Sequence, residues 1–248
     1  MFRLSPLRLR VFNTCRLRYR YQYVEKLRAR LRPTDTAGSV VHNVLCDFFA
    51  KMPHEERTAE RLIEMFETRW AALSPRYLRI DGVEELHKRK LGGLRGFAQR
   101  EDLEANPYLI EASFQAQIAP DITLFGRVDR IDEEGDGTLH IIDYKSGLQP
   151  GDVDASQLQL YAIMVESKLE RTVSRASYWY LEDGSVWTAG LTPEEKDQVH
   201  SSALAAASHM RKEKQFKPTI APHCADCPYL HACAVREQIA QRRQAEGW

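Results

Sequence analysis

Residues 126–147 read GRVDRIDEEGDGTLHIIDYKSG. Glu133 to Gly137 supply a turn and the flanks alternate as strands do, so the segment is expected to form an antiparallel hairpin. With the turn centred on Asp136, Asp129 falls opposite Asp143. Side chains alternate across a strand, so Asp143 and Lys145 share one face while Ile142 and Tyr144 point to the other. Arg127 belongs on the Asp129 face. Like charges directly opposite each other repel, so two carboxylates and two cations gathered on one face need a reason. Cross-strand ion pairs, Arg127 with Asp143 and Asp129 with Lys145, are one reading. A divalent cation between the carboxylates is the other, and oxygen ligands suit magnesium or manganese. A lysine beside such a site can stabilise negative charge on a phosphate or help position water.

Around this hairpin the pattern reads as strands at 108–118, 122–133 and 138–145, then an amphipathic helix at 154–169. A second hairpin follows at 173–181 and 185–190, and a helix from Pro193 to about Lys214. Upstream, residues 5–28 look helical behind a Ser5 cap with Pro6 at the first helical position. Helical patterns continue at 37–51, which carries His42, at about 56–72, and at 83–105. Helices, a strand meander, a helix, more strands and a last helix imply a mixed α/β core, not a doubly wound parallel sheet. A chain of 248 residues is long enough for one domain with an appendage or for two small ones.

Charge adds information only through its distribution. The net charge is zero, yet residues 1–32 hold ten arginines and lysines against one acid, Glu25. Arg16, Arg18 and Arg20 interleave there with Tyr19, Tyr21 and Tyr23. Such cations can pair with phosphates and such rings can stack on unpaired bases; the alternative is an amphipathic helix with tyrosines packed inward. No stretch of 18 apolar residues predicts a membrane span. The basic N-terminus lacks the apolar region of a signal peptide, so a cytoplasmic location is expected. A phosphate-binding Gly-x-x-x-x-Gly-Lys-(Ser/Thr) loop is absent, so any unwinding of a duplex would fall to a helicase partner.

Three of the five cysteines, Cys224, Cys227 and Cys233, form a C-x2-C-x5-C triplet, which in a reducing compartment reads as metal binding, with ordinary buried thiols as the alternative. A tetrahedral set needs a fourth ligand. Cys15 is the distant candidate; His223 and His231 are local alternatives that would favour zinc. Cys46 lies on the His42 helix and reads as buried core.

Taken together, GRVDRID, IIDYKSG and QLQLYA resemble the RecB-like branch of the PD-(D/E)XK nuclease superfamily. The resemblance implies a restriction-endonuclease-like core, a central mixed sheet flanked by helices. Asp129 matches the first motif acid, Asp143 and Lys145 the second acid and the lysine, and Gln157 and Tyr161 the helix motif. Gly38 to His42 fits the upstream histidine motif, and Glu111 stands where related sites often hold an acid. By the resemblance, His42, Asp129 and Asp143 hold one or two Mg²⁺ or Mn²⁺ ions, with the Tyr144 carbonyl as an extra ligand. A distant N-terminal cysteine with the triplet is similar to the iron–sulfur staple of AddB-type and CRISPR-associated relatives. It implies a [4Fe-4S] cluster on Cys15, Cys224, Cys227 and Cys233, with structural Zn²⁺ as the alternative. On this reading the chain is one nuclease domain over 1–248, with a catalytic core at about 37–190 and cluster-binding parts at about 5–30 and 215–240. It is expected to cut DNA, preferring single strands, in repair or recombination. Trimming spacer precursors beside a CRISPR integrase, or binding DNA without cutting, are the alternatives.

Overall fold

The structure, a computed structural model, describes residues 1–30 and 32–248. A short strand, β1 (Phe2–Leu4), leads into α1 (Pro6–Thr14). The Ser5 hydroxyl caps α1 by accepting from the Arg8 amide, and Pro6 sits where no amide is needed. The helix then breaks. Cys15 is extended (φ −159°, ψ 113°), and the chain resumes as α2 (Arg16–Tyr19) and one π-helical turn (Arg20–Val24). The single helix expected over 5–28 is therefore two, because Cys15 leaves helical geometry between residues that themselves show no breaker.

Four helices follow: α3 (Pro33–Lys51), α4 (Ala59–Ala71), α5 (Pro75–Leu78) and α6 (Val83–Arg100). α3 begins earlier than its apolar pattern, since Pro33 opens it and Asp35 accepts the Arg32 amide. Strands β2 (Leu109–Ala119), β3 (Ile122–Glu133) and β4 (Leu139–Lys145) form the meander, and α7 (Ser156–Leu169) crosses to β5 (Val173–Tyr180). β6 (Val186–Thr188), α8 (Pro193–Lys212) and α9 (Arg236–Glu246) complete the chain. The segment of α9 reads as a polar tail in the sequence; only Ile239 of its residues is buried. No helix is long and apolar enough to cross a membrane.

The mixed sheet explains where a site can form. β2 runs antiparallel along one edge of β3, from Leu109 opposite Ile131 to Ala119 opposite Ile122. The other edge of β3 is shared. β1 lies parallel to residues 122–124, and β4 pairs antiparallel with residues 130–133. Among the described residues, 125–129 have no strand partner on that side. β4 also pairs in parallel with β5, and β5 with β6 antiparallel.

Helices cover both faces. α7 and α8 bury Leu158, Met164, Ala203 and Ala207 with Ile131, Leu139 and Ile141 of the sheet. α3, α4 and α6 bury Phe48, Phe66 and Phe97 with Ile142 and Tyr144. The alternation of β4 thus feeds both cores, as its period of two requires.

Candidate metal centre and cysteine cavity

The unpaired stretch of β3 opens into a cleft of about 1500 Å³ lined by residues from both layers. Two glycines permit the approach. A Cβ on Gly38 would stand 2.8 Å from Ser146 Oγ, and one on Gly126 would stand 2.8 Å from the Tyr161 ring. Gly38 therefore lets α3 close on the end of β4, and Gly126 lets α7 close on β3. His42 arrives from the first helix, Gln157 and Tyr161 from the second.

Three carboxylates lie in line across three strands. Arg130 pairs with Ile142, and the same register carried one residue further sets Asp129 opposite Asp143, as the hairpin reading expects. On the other edge Ile110 pairs with Arg130 and Ala112 with Val128, which sets Glu111 opposite Asp129. Glu111 holds a left-handed backbone, φ +50°, inside a strand. That conformation is costly for a residue with a side chain.

His42, Glu111 and Asp129 each offer a ligand atom within 4.8 Å of the others. His42 Nδ1 is 3.3 Å from Asp129 Oδ2, which also accepts the Tyr144 amide at 3.0 Å. Asp143 does not join that trio; its carboxylate is engaged elsewhere. Lys145 Nζ lies 2.5 Å from Oδ1, and Gln157 Nε2 donates to Oδ2 at 2.8 Å. Gln157 also accepts from Lys145 at 3.2 Å and donates to the Tyr161 hydroxyl at 3.0 Å. The Lys145 ammonium sits 4.4 Å over the Tyr178 ring. Arg127 pairs with Glu111 at 2.6 Å. The cross-strand pairs weighed in the sequence are thus replaced by Arg127 with Glu111 and Lys145 with Asp143. Tyr144 also lines the cleft.

The electrostatics combine burial with clustered carboxylates. Asp143 is 4% exposed; burial raises its pKa, Lys145 opposes that rise and Asp129 reinforces it. Burial likewise raises Glu111, with Arg127 lowering it and Asp129 raising it. Burial works against charging His42, but its hydrogen bond to Asp129 and the fields of Asp129 and Asp143 outweigh it, so its pKa is raised. Burial is the main cause of the rise in the two acids; the raised imidazole is the shift that reports the neighbouring carboxylates. An oxygen-rich trio with one imidazole suits a divalent cation, and Lys145 stands beside it.

The cysteines meet elsewhere. Cys15, Cys224, Cys227 and Cys233 all line one small apolar cavity with Leu17, Tyr21 and Tyr229. Cys46 is not among them. Burial raises the thiol pKa of Cys227 and Cys233, and Cys15 and Cys224 add to the rise in both. Arg18 and His223 line the cavity too, and Arg18 Nε and His223 Nε2 are buried with no partner among the described residues. Four thiols with two idle polar nitrogens fit a group of negative charge that accepts hydrogen bonds.

The basic N-terminal segment is partly engaged by the protein itself. Arg16 pairs with Glu213 at 2.7 Å and Arg20 with Glu25 at 2.6 Å. Tyr19 is buried against Phe12, Tyr23 and Phe216. Tyr21 packs on Tyr229, and its hydroxyl accepts the Ala234 amide. Arg18 faces the cysteine cavity. Of the expected nucleic-acid surface, the Tyr19 and Tyr21 rings are taken up by core contacts and are not open to bases, whereas Arg16 and Arg20 stay about half exposed; none of Arg16, Arg18, Tyr19, Arg20 and Tyr21 borders the cleft.

Comparison with known proteins adds the following. A family model described as the PD-(D/E)XK nuclease superfamily matches residues 3–234. No curated protein matches the chain. Among solved structures, the crystal structure of SSO0001 aligns over 94% of this chain and 86% of its own, at 12% identity and a TM-score of 0.47, a likeness too low to carry an argument.

Proposed function

Since the chain belongs to the PD-(D/E)XK nuclease superfamily, a family of metal-dependent nucleases, we propose that its cleft hydrolyses DNA phosphodiester bonds and prefers single strands. The observation that carries this reading is the row Glu111, Asp129, Asp143 across three strands, with His42 above it and Lys145 beside it. His42, Glu111 and Asp129 would hold Mg²⁺ or Mn²⁺, and Asp143 would join them by turning from Lys145; the Tyr144 carbonyl is a further ligand. When bound, the cation supplies Lewis acidity toward a phosphoryl oxygen and acidifies water.

The protein's own groups do the rest. Lys145, released from Asp143, stabilises the extra negative charge on the phosphate or orients water. Gln157 can follow either partner, since it bonds both Asp143 and Lys145. The Tyr161 hydroxyl, held by Gln157, stays protonated because burial raises its pKa.

The same reading takes residues 1–248 as one RecB-like domain, with a core at about 37–190 and cluster-binding parts at about 5–30 and 215–240. The cysteine cavity would hold a [4Fe-4S] cluster with a structural role. The four cysteines gathered at one buried cavity, with the unpartnered Arg18 Nε beside them, support this reading. Repair or recombination is the proposed setting, with a helicase as partner where the substrate is duplex.

The test is direct. End-labelled single- and double-stranded DNA is incubated with the protein in Mg²⁺, Mn²⁺ or EDTA. Cleavage that needs metal and favours the single strand is the expected result. Binding without cleavage in either metal would overturn it.

A further inference from the structure

β1 and α1 form a wall of the cleft that the metal centre does not use. β1 is pinned there by its parallel pairing with residues 122–124 of β3, and α1 follows within two residues. From this wall Arg3, Leu7 and Arg10 line the cleft. Leu7 and Arg10 are three apart on the helix and so share a face.

These cations are free in a way the downstream ones are not. Among the described residues neither Arg3 nor Arg10 pairs with a carboxylate, whereas Arg16, Arg20 and Arg127 do. Arg3 lies over the Phe125 ring at 4.6 Å, and Arg8 donates to the Arg3 carbonyl at 2.8 Å, so the first arginine is held in place. Arg10 acts inside the site as well: its charge opposes the burial that raises Tyr161 and Tyr178. Leu7 is 46% exposed, and Leu148, 63% exposed in the loop after β4, also lines the cleft. A lone exposed leucine is ordinary. Two bordering one cleft, with unpaired arginines around the first, offer apolar contact beside charge. Phosphates and base faces present that combination together only when the strand is unpaired, because a duplex hides its base faces.

We propose that the β1–α1 wall is a strand guide: Arg3 and Arg10 hold phosphates of single-stranded DNA on its way to the metal centre, and Leu7 packs against a base. This rests on the nuclease reading but is tested apart from it.

Binding of a labelled oligothymidylate and of a duplex is measured by anisotropy in Ca²⁺ across a salt series. Removing both arginines (Arg3→Ala with Arg10→Ala) should weaken strand binding about tenfold or more. The slope of log affinity against log salt should fall by roughly 0.7 for each arginine removed. Leu7→Ser should weaken strand binding without changing that slope, and leave duplex binding alone. Arg89→Ala with Arg95→Ala removes the same charge from α6, outside the cleft, and should change nothing. An unchanged slope in the first double variant, or an equal loss in the second, overturns the guide. So does a Leu7→Ser variant that binds both substrates as wild type does. Wild-type protein that binds the strand but never cleaves it in Mg²⁺ or Mn²⁺ sinks the nuclease reading instead, so the two failures are distinct.

Discussion

Asp129 bonds the backbone of Tyr144 across the mouth of the central hairpin, Oδ2 accepting the amide at 3.0 Å. The ladder between β3 and β4 ends at Arg130 and Ile142, so this side chain replaces the next backbone bond. The same oxygen is the one nearest His42. One carboxylate therefore closes the hairpin and faces the metal site. Asp129→Asn keeps an oxygen for the Tyr144 amide and removes the charge. Cleavage is expected to fall by about a thousandfold, roughly 4 kcal/mol, with the melting temperature little changed. Wild-type rates in the variant would remove Asp129 from the site.

Glu111 is held at φ +50°, and relief of that backbone should trade against metal binding. Glycine adopts the conformation freely, so Glu111→Gly is expected to gain about 1 kcal/mol, or roughly 2–4 °C in melting temperature for a chain of this size. The lost pair with Arg127, whose side chain is largely exposed, offsets little of this. Manganese affinity, measured by calorimetry, should fall in the same protein. Glu111→Gln keeps the strain and should lose affinity without gaining stability. A glycine variant less stable than the glutamine variant would count against a strained ligand.

His140 should make the fold sensitive to acid. Its Nε2 bonds Ser177 at 3.0 Å. Burial, then the fields of Arg175 and Arg130, push its pKa down to about 3. Glu134 stands 3.7 Å from Nδ1 but is already paired with Arg175 at 2.6 Å, and does not offset this. The unfolded chain takes up a proton at about 6.5 while the native one does not. Stability from this residue is therefore complete above about pH 6.5 and is lost as the pH falls toward 3, at up to roughly 1.4 kcal/mol per unit. The difference in unfolding free energy between wild type and His140→Gln should slope through that window and be flat above it. A difference independent of pH would show that His140 titrates normally.

Protein made and handled without oxygen is expected to carry iron, and Cys15→Ser, Cys224→Ser, Cys227→Ser and Cys233→Ser each to lose it. Cys46→Ser should keep it, since Cys46 lies on α3, outside the cavity. Metal content and visible absorption read the outcome. One zinc per chain and no iron would replace the cluster with a structural zinc site.

How much of this was legible depends on how local the signal is. The Asp129–Asp143 register follows from a turn and a period of two, both written in consecutive residues. Gln157 and Tyr161 follow from one helical turn. His42 is a lone histidine on a helix, and only the motifs around it give it meaning. Glu111 is not decided by sequence, because its backbone geometry and its place opposite Asp129 depend on how β2 pairs with β3, which no short window contains. Composition marks the whole N-terminal segment as basic and does not separate Arg3 and Arg10 from Arg16 to Tyr21. Only the parallel pairing of β1 with β3, more than a hundred residues away, decides which of its cations meet the cleft. The break at Cys15 is likewise a tertiary effect.

The cysteine cavity has a consequence in time. Cys15 joins α1, on the cleft, to α2, on the cavity, and its three companions come from the other end of the chain. During synthesis, at 5–20 residues per second, Cys15 waits roughly 10–40 seconds for them to emerge. The residues of the metal centre, His42 to Tyr161, are all made within that wait. If the cavity holds the proposed cluster, the cavity side of the wall carrying Arg3 and Arg10 is tied down only after those residues exist. β1 can pair with residues 122–124 well before the triplet emerges, so a cluster would lock the junction of α1 and α2 last, onto a cleft whose own residues are already in place.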